Sequence, residues 1–201
     1  LSTKLFKQLN KKQFKMQLNK AIKNRWSPRA FSNQKVTDEM LDLLFEAARW
    51  APSSRNGQPW HYYYVRREDK ETFQQVLDIL TGINPGWAQH AQVLIITVMR
   101  KKHEFNNLPN GKALHDMGAA SALMGVQAAE MGLQIHQMGG FDKEKATAFL
   151  NLDTENFDPV TCIAVGAEGD ANQLPDDLKK RELDPRERKE KKEFVFDLGR
   201  H

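Results

Sequence analysis

Ala51-Pro52-Ser53-Ser54-Arg55-Asn56-Gly57-Gln58-Pro59-Trp60-His61 is the stretch on which the reading of this chain turns. Its two prolines fix φ and bar a helix from running through it. Between them stand two serines, an asparagine, a glycine and a glutamine, side chains that hydrogen-bond local backbone or a ligand. A well-patterned helix precedes it: Thr37 reads as the N-cap, with Asp38 and Glu39 in the first turn. Met40, Leu43, Leu44, Ala47, Ala48 and Ala51 then recur at helical spacing until Pro52 stops them. An aromatic strand, expected over 61–66, follows. A polar loop stiffened at both ends is either a plain connection or a binding loop held by its scaffold.

Downstream, Phe73, Val76, Leu77 and Leu80 mark a helix over 69–80, and 82–87 is a turn-rich connector. Val93 to Met99 is apolar and largely β-branched, which suits a central strand covered on both faces. Residues 100–111, rich in Lys, Asn and Pro, read as a flexible loop. A long helix over 113–131 carries Gly118, Ala119, Ala120, Ser121, Ala122, Gly125, Ala128 and Ala129, so it is either central core or a subunit interface. Gly132 supplies its stop. A short strand then leads to Gln137-Met138-Gly139-Gly140-Phe141-Asp142, where Asp142 caps a helix over 143–151. Two consecutive glycines there point to backbone pressed close to something. Residues 160–166 read as another buried strand, with Cys162 in the core.

Upstream, Leu5, Leu9, Phe14, Leu18, Ala21 and Ile22 form a broken helical stripe ending near Asn24. The segment Asn24-Arg25-Trp26-Ser27-Pro28-Arg29-Ala30-Phe31 follows, with Pro28 biasing Ser27 towards an extended conformation. Arg25, Ser27 and Arg29 make a compact anion site, because guanidinium forks match phosphate oxygens bidentately. At the other end, 15 of the 18 residues from Asp176 to Glu193 are charged, the composition of a solvated, mobile segment. It holds Arg181 and Arg186-Glu187-Arg188, and a small β-rich end, Phe194-Val195-Phe196, comes after it.

The totals bound the class. With 201 residues, 40% hydrophobic and 28% charged, the chain has the composition of one sizeable globular domain. No apolar run approaches the ~18 residues of a membrane span. A single cysteine excludes an internal disulfide and any Cys-x-x-Cys pair, so redox chemistry would come from a bound cofactor, and a cytoplasmic setting is the default. The net charge of +4 is uneven: residues 1–37 hold ten Lys or Arg and no acid, leaving the rest net acidic. Such an arm is either a solvated helix face or a contact for nucleic acid or an anionic membrane. No Gly-x-Gly-x-x-Gly, phosphate-binding P-loop or Gly-x-Ser-x-Gly elbow is present, and the six histidines lack metal-ligand spacing, so no metal is expected.

The run Pro52-Ser53-Ser54-x-Asn56-x-Gln58-Pro59-Trp60 resembles the signature loop of the FMN-dependent nitroreductase family. Arg25-x-Ser27-x-Arg29-x-Phe31 is similar to the family's opening, whose side chains grip the FMN phosphate; Trp26 stands where relatives often carry a second basic residue. The helix from Ala113, with its Ala128-x-x-x-Gly132-Leu133 ending, resembles the family's central helix, which packs across a dimer axis. Met138, Gly139 and Gly140 match a segment whose amides face the flavin edge, and Arg186 and Arg188 (or Arg181 instead) match a late arginine pair that completes the phosphate site.

The resemblance implies an α+β fold, an antiparallel-rich central sheet flanked by helices, in a homodimer with one FMN per interface. Residues 1–15 would be a basic extension and 16–201 a single FMN-binding domain, with 176–201 exchanged between subunits. The cofactor-binding set is Arg25, Trp26, Ser27, Arg29, Pro52, Ser53, Ser54, Asn56, Gln58, Met138, Gly139, Gly140, Arg186 and Arg188. NADH or NADPH would supply hydride, and a nitroaromatic, a quinone or a similar small oxidant would remove it by ping-pong transfer, with no nucleic acid or membrane partner. No side chain stands out as a general acid, so no catalytic residue is assigned. The competing readings are a flavin-binding protein without turnover and a basic-arm module for nucleic acid or membrane.

Overall fold

The protein is described by a computed structural model over residues 17–199. The stripe from Leu5 to Phe14 and the 1–15 extension lie outside the described residues. Local sequence accounts for most of the element boundaries. Asn19 caps the short helix α1, Lys20–Asn24, by accepting from the Ala21 amide. Thr37 caps α2, Asp38–Arg49, by accepting from the Met40 amide, as its position before two acids predicts. The loop of interest contains one turn of 3₁₀ helix, Ser54–Asn56, and delivers the chain into β1, Trp60–Arg66.

Asp69 caps α3, Lys70–Leu77, which ends three residues short of its sequence expectation. The connector after it holds a helix of its own, α4, Asn84–Ala88, with proline in its first turn, where a missing N–H costs nothing. Then come β2, Val93–Arg100; α5, Ala113–Glu130; β3, Gln134–Met138; α6, Lys143–Phe149; and β4, Phe157–Gly166. Gly132 ends α5 with φ of +71° and Asp142 caps α6, both as the sequence predicts.

The four strands pair antiparallel throughout in the order β1-β2-β4-β3. β2 is interior, as its apolar run requires, and its alternate residues serve two cores. Leu94, Ile96 and Val98 pack with Phe31, Phe73, Val76 and Trp87 on one face. Val93 and Ile95 pack with Leu44, Ala48, Ala120, Met124 and Ala128 on the other. Two helix-covered faces around one antiparallel sheet make this an α+β fold. β4 starts earlier than its apolar run: a bulge between Thr97 and Val98 leaves Val160 without a register partner and sets Pro159 opposite Val98, at a point where β3 no longer pairs with β4.

Four expectations change. Leu43 is exposed, and Leu41 instead joins Leu44 and Ala48 in the core, so the apolar face of α2 is rotated from the predicted stripe. Residues 100–111 are pinned rather than loose. His103 N–H donates to Leu108 O at 2.9 Å, Asn110 N–H to Lys101 O at 2.7 Å, and Lys101 N–H to Asn156 O at 2.7 Å. The charged tail contains α7, Asp176–Leu183, anchored by buried Leu178. Phe194, Val195 and Phe196 form no strand within the described residues and are exposed, Phe196 by 75%. Among the described residues no helix is long and apolar enough to cross a membrane.

Candidate functional site

The segment from Arg25 to Phe31 is a strap whose backbone is held by distant elements. Trp26 N–H donates to Gln134 Oε1 at 2.8 Å, and the His136 Nδ1 lies 2.9 Å from the Pro28 carbonyl. A carbonyl only accepts, so Nδ1 carries the proton. His136 also packs on Trp87 with ring centroids 4.5 Å apart, and burial pushes its pKa below the ordinary value, favouring the neutral imidazole. The Arg29 and Ala30 amides donate to Glu182 Oε1 on α7, at 2.8 and 3.1 Å. Gly169 N–H donates to Ala30 O at 2.9 Å. That approach is so close that a Cβ at Gly169 would sit 2.5 Å from the Phe31 carbonyl carbon.

This pinned strap turns Arg25 toward the tail. Arg25 Nη1 lies 3.3 Å from Ser27 Oγ. Arg186 donates to Arg25 O at 2.5 Å and to Lys23 O at 3.2 Å, and its guanidinium lies 5.5 Å from the Trp26 ring centroid. Arg186 thereby caps the carbonyl end of α1 and stacks on the indole. Arg188 donates to the neighbouring Glu187 carbonyl at 2.6 Å.

Leu18, Ile22, Lys23, Arg25, Arg186 and Arg188 line a cavity of about 340 Å³. No carboxylate is among them. Burial first, then Arg188 and Arg186, push the Arg25 pKa down, the signature of like charges crowded into partly dry space. A multivalent anion is what such a cavity accepts.

The signature loop forms a second constellation. Arg55, Asn56 and Gln58 have φ of 54°, 54° and 43°, three non-glycine residues in the left-handed region within four positions. That conformation costs roughly 1–2 kcal/mol per residue, so surrounding bonds must hold it. Ser54 N–H donates at 2.9 Å to Asp116 Oδ2, a carboxylate of α5 in a residue only 3% exposed. Gln58 N–H donates to Ser53 Oγ at 3.0 Å, and the Arg55 guanidinium lies 5.4 Å from the Phe105 ring. Pro52, Ser53, Ser54, Lys112, His115 and Asp116 line a cavity of about 370 Å³. Strain concentrated in an exposed polar loop makes it a candidate functional segment.

The paired glycines divide. Gly140 is the one pressed close: its carbonyl accepts from Thr81 N–H and Asn84 Nδ2 at 3.0 Å each, and a Cβ would meet Asn84 Nδ2 at 2.7 Å. A Cβ at Gly139 would meet nothing within 4 Å. Met138 is buried in the core beside them.

The predicted residues therefore gather into separate groups. Arg25, Ser27, Arg186 and Arg188 come together. Trp26 supports Arg186 and faces a neighbouring cleft with Glu168, Glu182 and Asp184. Arg29 is turned to Glu182, its Nη1 3.9 Å from Oε2, and Arg181 does not line the cationic cavity. Pro52, Ser53 and Ser54 border a cavity that shares no lining residue with the arginines, and Asn56 and Gln58 stand exposed on the same loop. Gln134, His136, Glu182 and Asp116, which hold the two groups in place, went unseen in the sequence. Each lies more than sixty residues from the backbone it binds, with no local pattern to mark it.

The model of the nitroreductase family matches residues 22–93, which hold both the strap and the signature loop. A solved structure described as an oxidoreductase containing FMN is 31% identical and superposes with a TM-score of 0.84, over 94% of this chain and 96% of its own. A nitroreductase family protein from Clostridium difficile 630 shares the fold at 22% identity and a TM-score of 0.69, over 91% of this chain and 99% of its own. Among curated proteins, one from Escherichia coli K12 whose name carries the words NAD(P)H nitroreductase is 30% identical over 110 residues, 50% of this chain and 59% of that protein. Nitrobenzene nitroreductase of Ectopseudomonas oleovorans is 42% identical over 50 residues, 25% of this chain and 22% of that protein. The curated matches are partial throughout, and relatives from Archaeoglobus fulgidus and Methanothermobacter thermautotrophicus are matched over only 34% and 29% of their length. With the family model matched over the strap and the signature loop, and a 31% identical structure superposed along nearly the full length of both chains, the chain belongs to the nitroreductase family.

Proposed function

We propose that the protein is an FMN-dependent oxidoreductase that uses NADH or NADPH to reduce nitroaromatics, quinones or similar small oxidants. The observation that carries this is the cavity of Arg25, Arg186, Arg188 and Lys23. Its crowded like charges, and the downward push on the Arg25 pKa they help to cause, fit a phosphate monoester. Arg25, Ser27 and Arg188 would hold that phosphate, Arg186 and Trp26 would shape its cradle, and the open space at Gly139 admits a ring edge against a backbone amide. A bound flavin would supply the hydride-transfer chemistry between reduced nicotinamide and oxidant. The chain's own work is to anchor the phosphate, orient the ring and present polar groups of the strained loop. No side chain need shuttle a proton that solvent can supply.

The cationic cavity and the signature-loop cavity share no residue, so a second copy of the chain is the natural means of bringing them onto one ligand. The exposed face of α5, with Leu114, Gly118, Ala122 and Leu123, supports a homodimer. The free edge of β1 does too. Beside it lies an apolar groove of about 350 Å³ lined by Tyr63, Val65, Val76 and Phe149, a fit for the exposed Phe194-Val195-Phe196 of a partner. In this reading residues 16–201 form one FMN-binding unit, the end of the tail carrying Phe194-Val195-Phe196 is exchanged while α7 and Arg186 stay docked on their own strap, and the protein works in the cytoplasm without nucleic acid or membrane.

Titration of the apoprotein with FMN and with riboflavin, which lacks the phosphate, tests the proposal. A charge-assisted hydrogen bond is worth about 1.5–3 kcal/mol, so Arg25→Ala should weaken FMN roughly ten- to hundredfold and leave riboflavin nearly unchanged. Equal losses for both ligands would mean that Arg25 does not read phosphate.

A further inference from the structure

Glu182 lies 153 residues from Arg29 in sequence and against it in space. Its side chain is only 5% exposed. Oε1 receives two consecutive strap amides, from Arg29 and Ala30. Oε2 is buried with no hydrogen-bond partner and stands 3.9 Å from Arg29 Nη1. A carboxylate taken out of water with one oxygen unbonded is costly unless a cation stands beside it. The Arg29 guanidinium is that cation, and Arg29 is absent from the lining of the arginine cavity. Four and six residues after Glu182 come Arg186 and Arg188, and Pro185 stiffens the chain between. The contact that pins the strap therefore also sets where the tail arginines begin.

We propose that Glu182 is the positioning residue of the anion site: it clamps the strap at Arg29 and Ala30 and takes up the Arg29 charge, so that Arg25 and Arg188 are the cations that meet the anion. The anion's identity as a flavin phosphate rests on the function proposed above; the clamp itself does not. The arrangement explains why a strap with two arginines can read one phosphate without overcharging the cavity. Arg25 already has Arg186 and Arg188 beside it, and a further free guanidinium would add repulsion to the unliganded site.

The test uses the full chain, with FMN and riboflavin binding followed by fluorescence and with amide hydrogen exchange read at Arg29 and Ala30. Glu182→Gln keeps an acceptor oxygen for both amides but removes the charge that holds Arg29. Exchange at the two amides should stay slow, while the preference for FMN over riboflavin rises about threefold, the scale of one added, partly exposed charge contact. Adding Arg29→Gln to that variant should abolish the gain, and Arg29→Gln alone should leave the wild-type preference nearly intact. Glu182→Ala should speed exchange at both amides. An unchanged preference in Glu182→Gln would overturn the proposal, as would an Arg29→Gln loss as large as that of Arg25→Ala, or unaltered exchange in Glu182→Ala. A wild type that binds the two flavins alike would overturn the phosphate reading instead, and the exchange measurement would still decide the clamp.

Discussion

At the scale of single residues, the site is held by buried polar groups that carry no ligand. His136 shows how such a group leaves a measurable trace. Its pKa is pushed below the ordinary 6.5 by burial first, while its bond to the Pro28 carbonyl works in the opposite direction. Between the folded and unfolded pKa values the unfolded chain binds a proton that the native chain refuses. Stability is therefore full above the unfolded value, falls as pH drops through about 6.5, and levels off below the folded value. His61, also lowered chiefly by burial, adds a loss of the same sign. His136→Asn offers an N–H to the carbonyl but cannot titrate. Urea midpoints measured at about pH 7.5 and pH 5.5 should fall less in the variant than in the wild type, with a residual slope from His61. Parallel slopes would show that His136 ionises as freely in the folded protein as in the unfolded one.

At the scale of elements, legibility followed locality. α2 was readable because Thr37, two acids and Pro52 are all within its own sequence, yet its buried face was misplaced at Leu43, since only α5 and the sheet decide which apolar side is covered. α7 hid in a run of charges because one leucine, Leu178, and one buried carboxylate, Glu182, suffice to dock it. α4 hid behind glycine and proline, and the start of β4 behind Pro159, residues that punctuate most segments but here sit at a first turn and a bulge. The pairing of Arg25 with Ser27 in the strap was legible from their spacing, while the strap's supports came from β3, from the segment after β4 and from α7. Two glycines separate support from site. Gly169→Ala would drive a methyl into the Phe31 backbone, so it should destabilise by about 1–3 kcal/mol or more and lose flavin with the fold. Gly139→Ala meets open space and should leave the unfolding midpoint unchanged while weakening flavin binding. If Gly139→Ala lowered neither, the amide there would have no part in holding the ring.

At the scale of the whole molecule, the described chain displays two cavities with no lining residue in common and two exposed apolar surfaces. Among the described residues no strand pairs with the outer edge of β1, which lies beside an apolar groove, a liability that proteins cover or block. Phe194, Val195 and Phe196 in the tail are all exposed, and all three residue types favour strands. A tail that pairs with its own β1 would show that contact among the described residues, and none is present. Exchange of the tail's end between two copies, as proposed above, would satisfy both surfaces while Arg186 stays on its own chain's strap. Sedimentation of the flavin-loaded protein should therefore give about twice the chain mass of 23.1 kDa. Truncation after Glu193 spares Arg186 and Arg188, so any direct phosphate contact survives. It should nevertheless weaken dimerisation and flavin retention in step, because in the proposed dimer the second half of the site would come from the partner. A truncated protein that stays dimeric and keeps its flavin would show the tail to be merely solvated. One that falls to monomers yet holds flavin as tightly would place the whole site within a single chain.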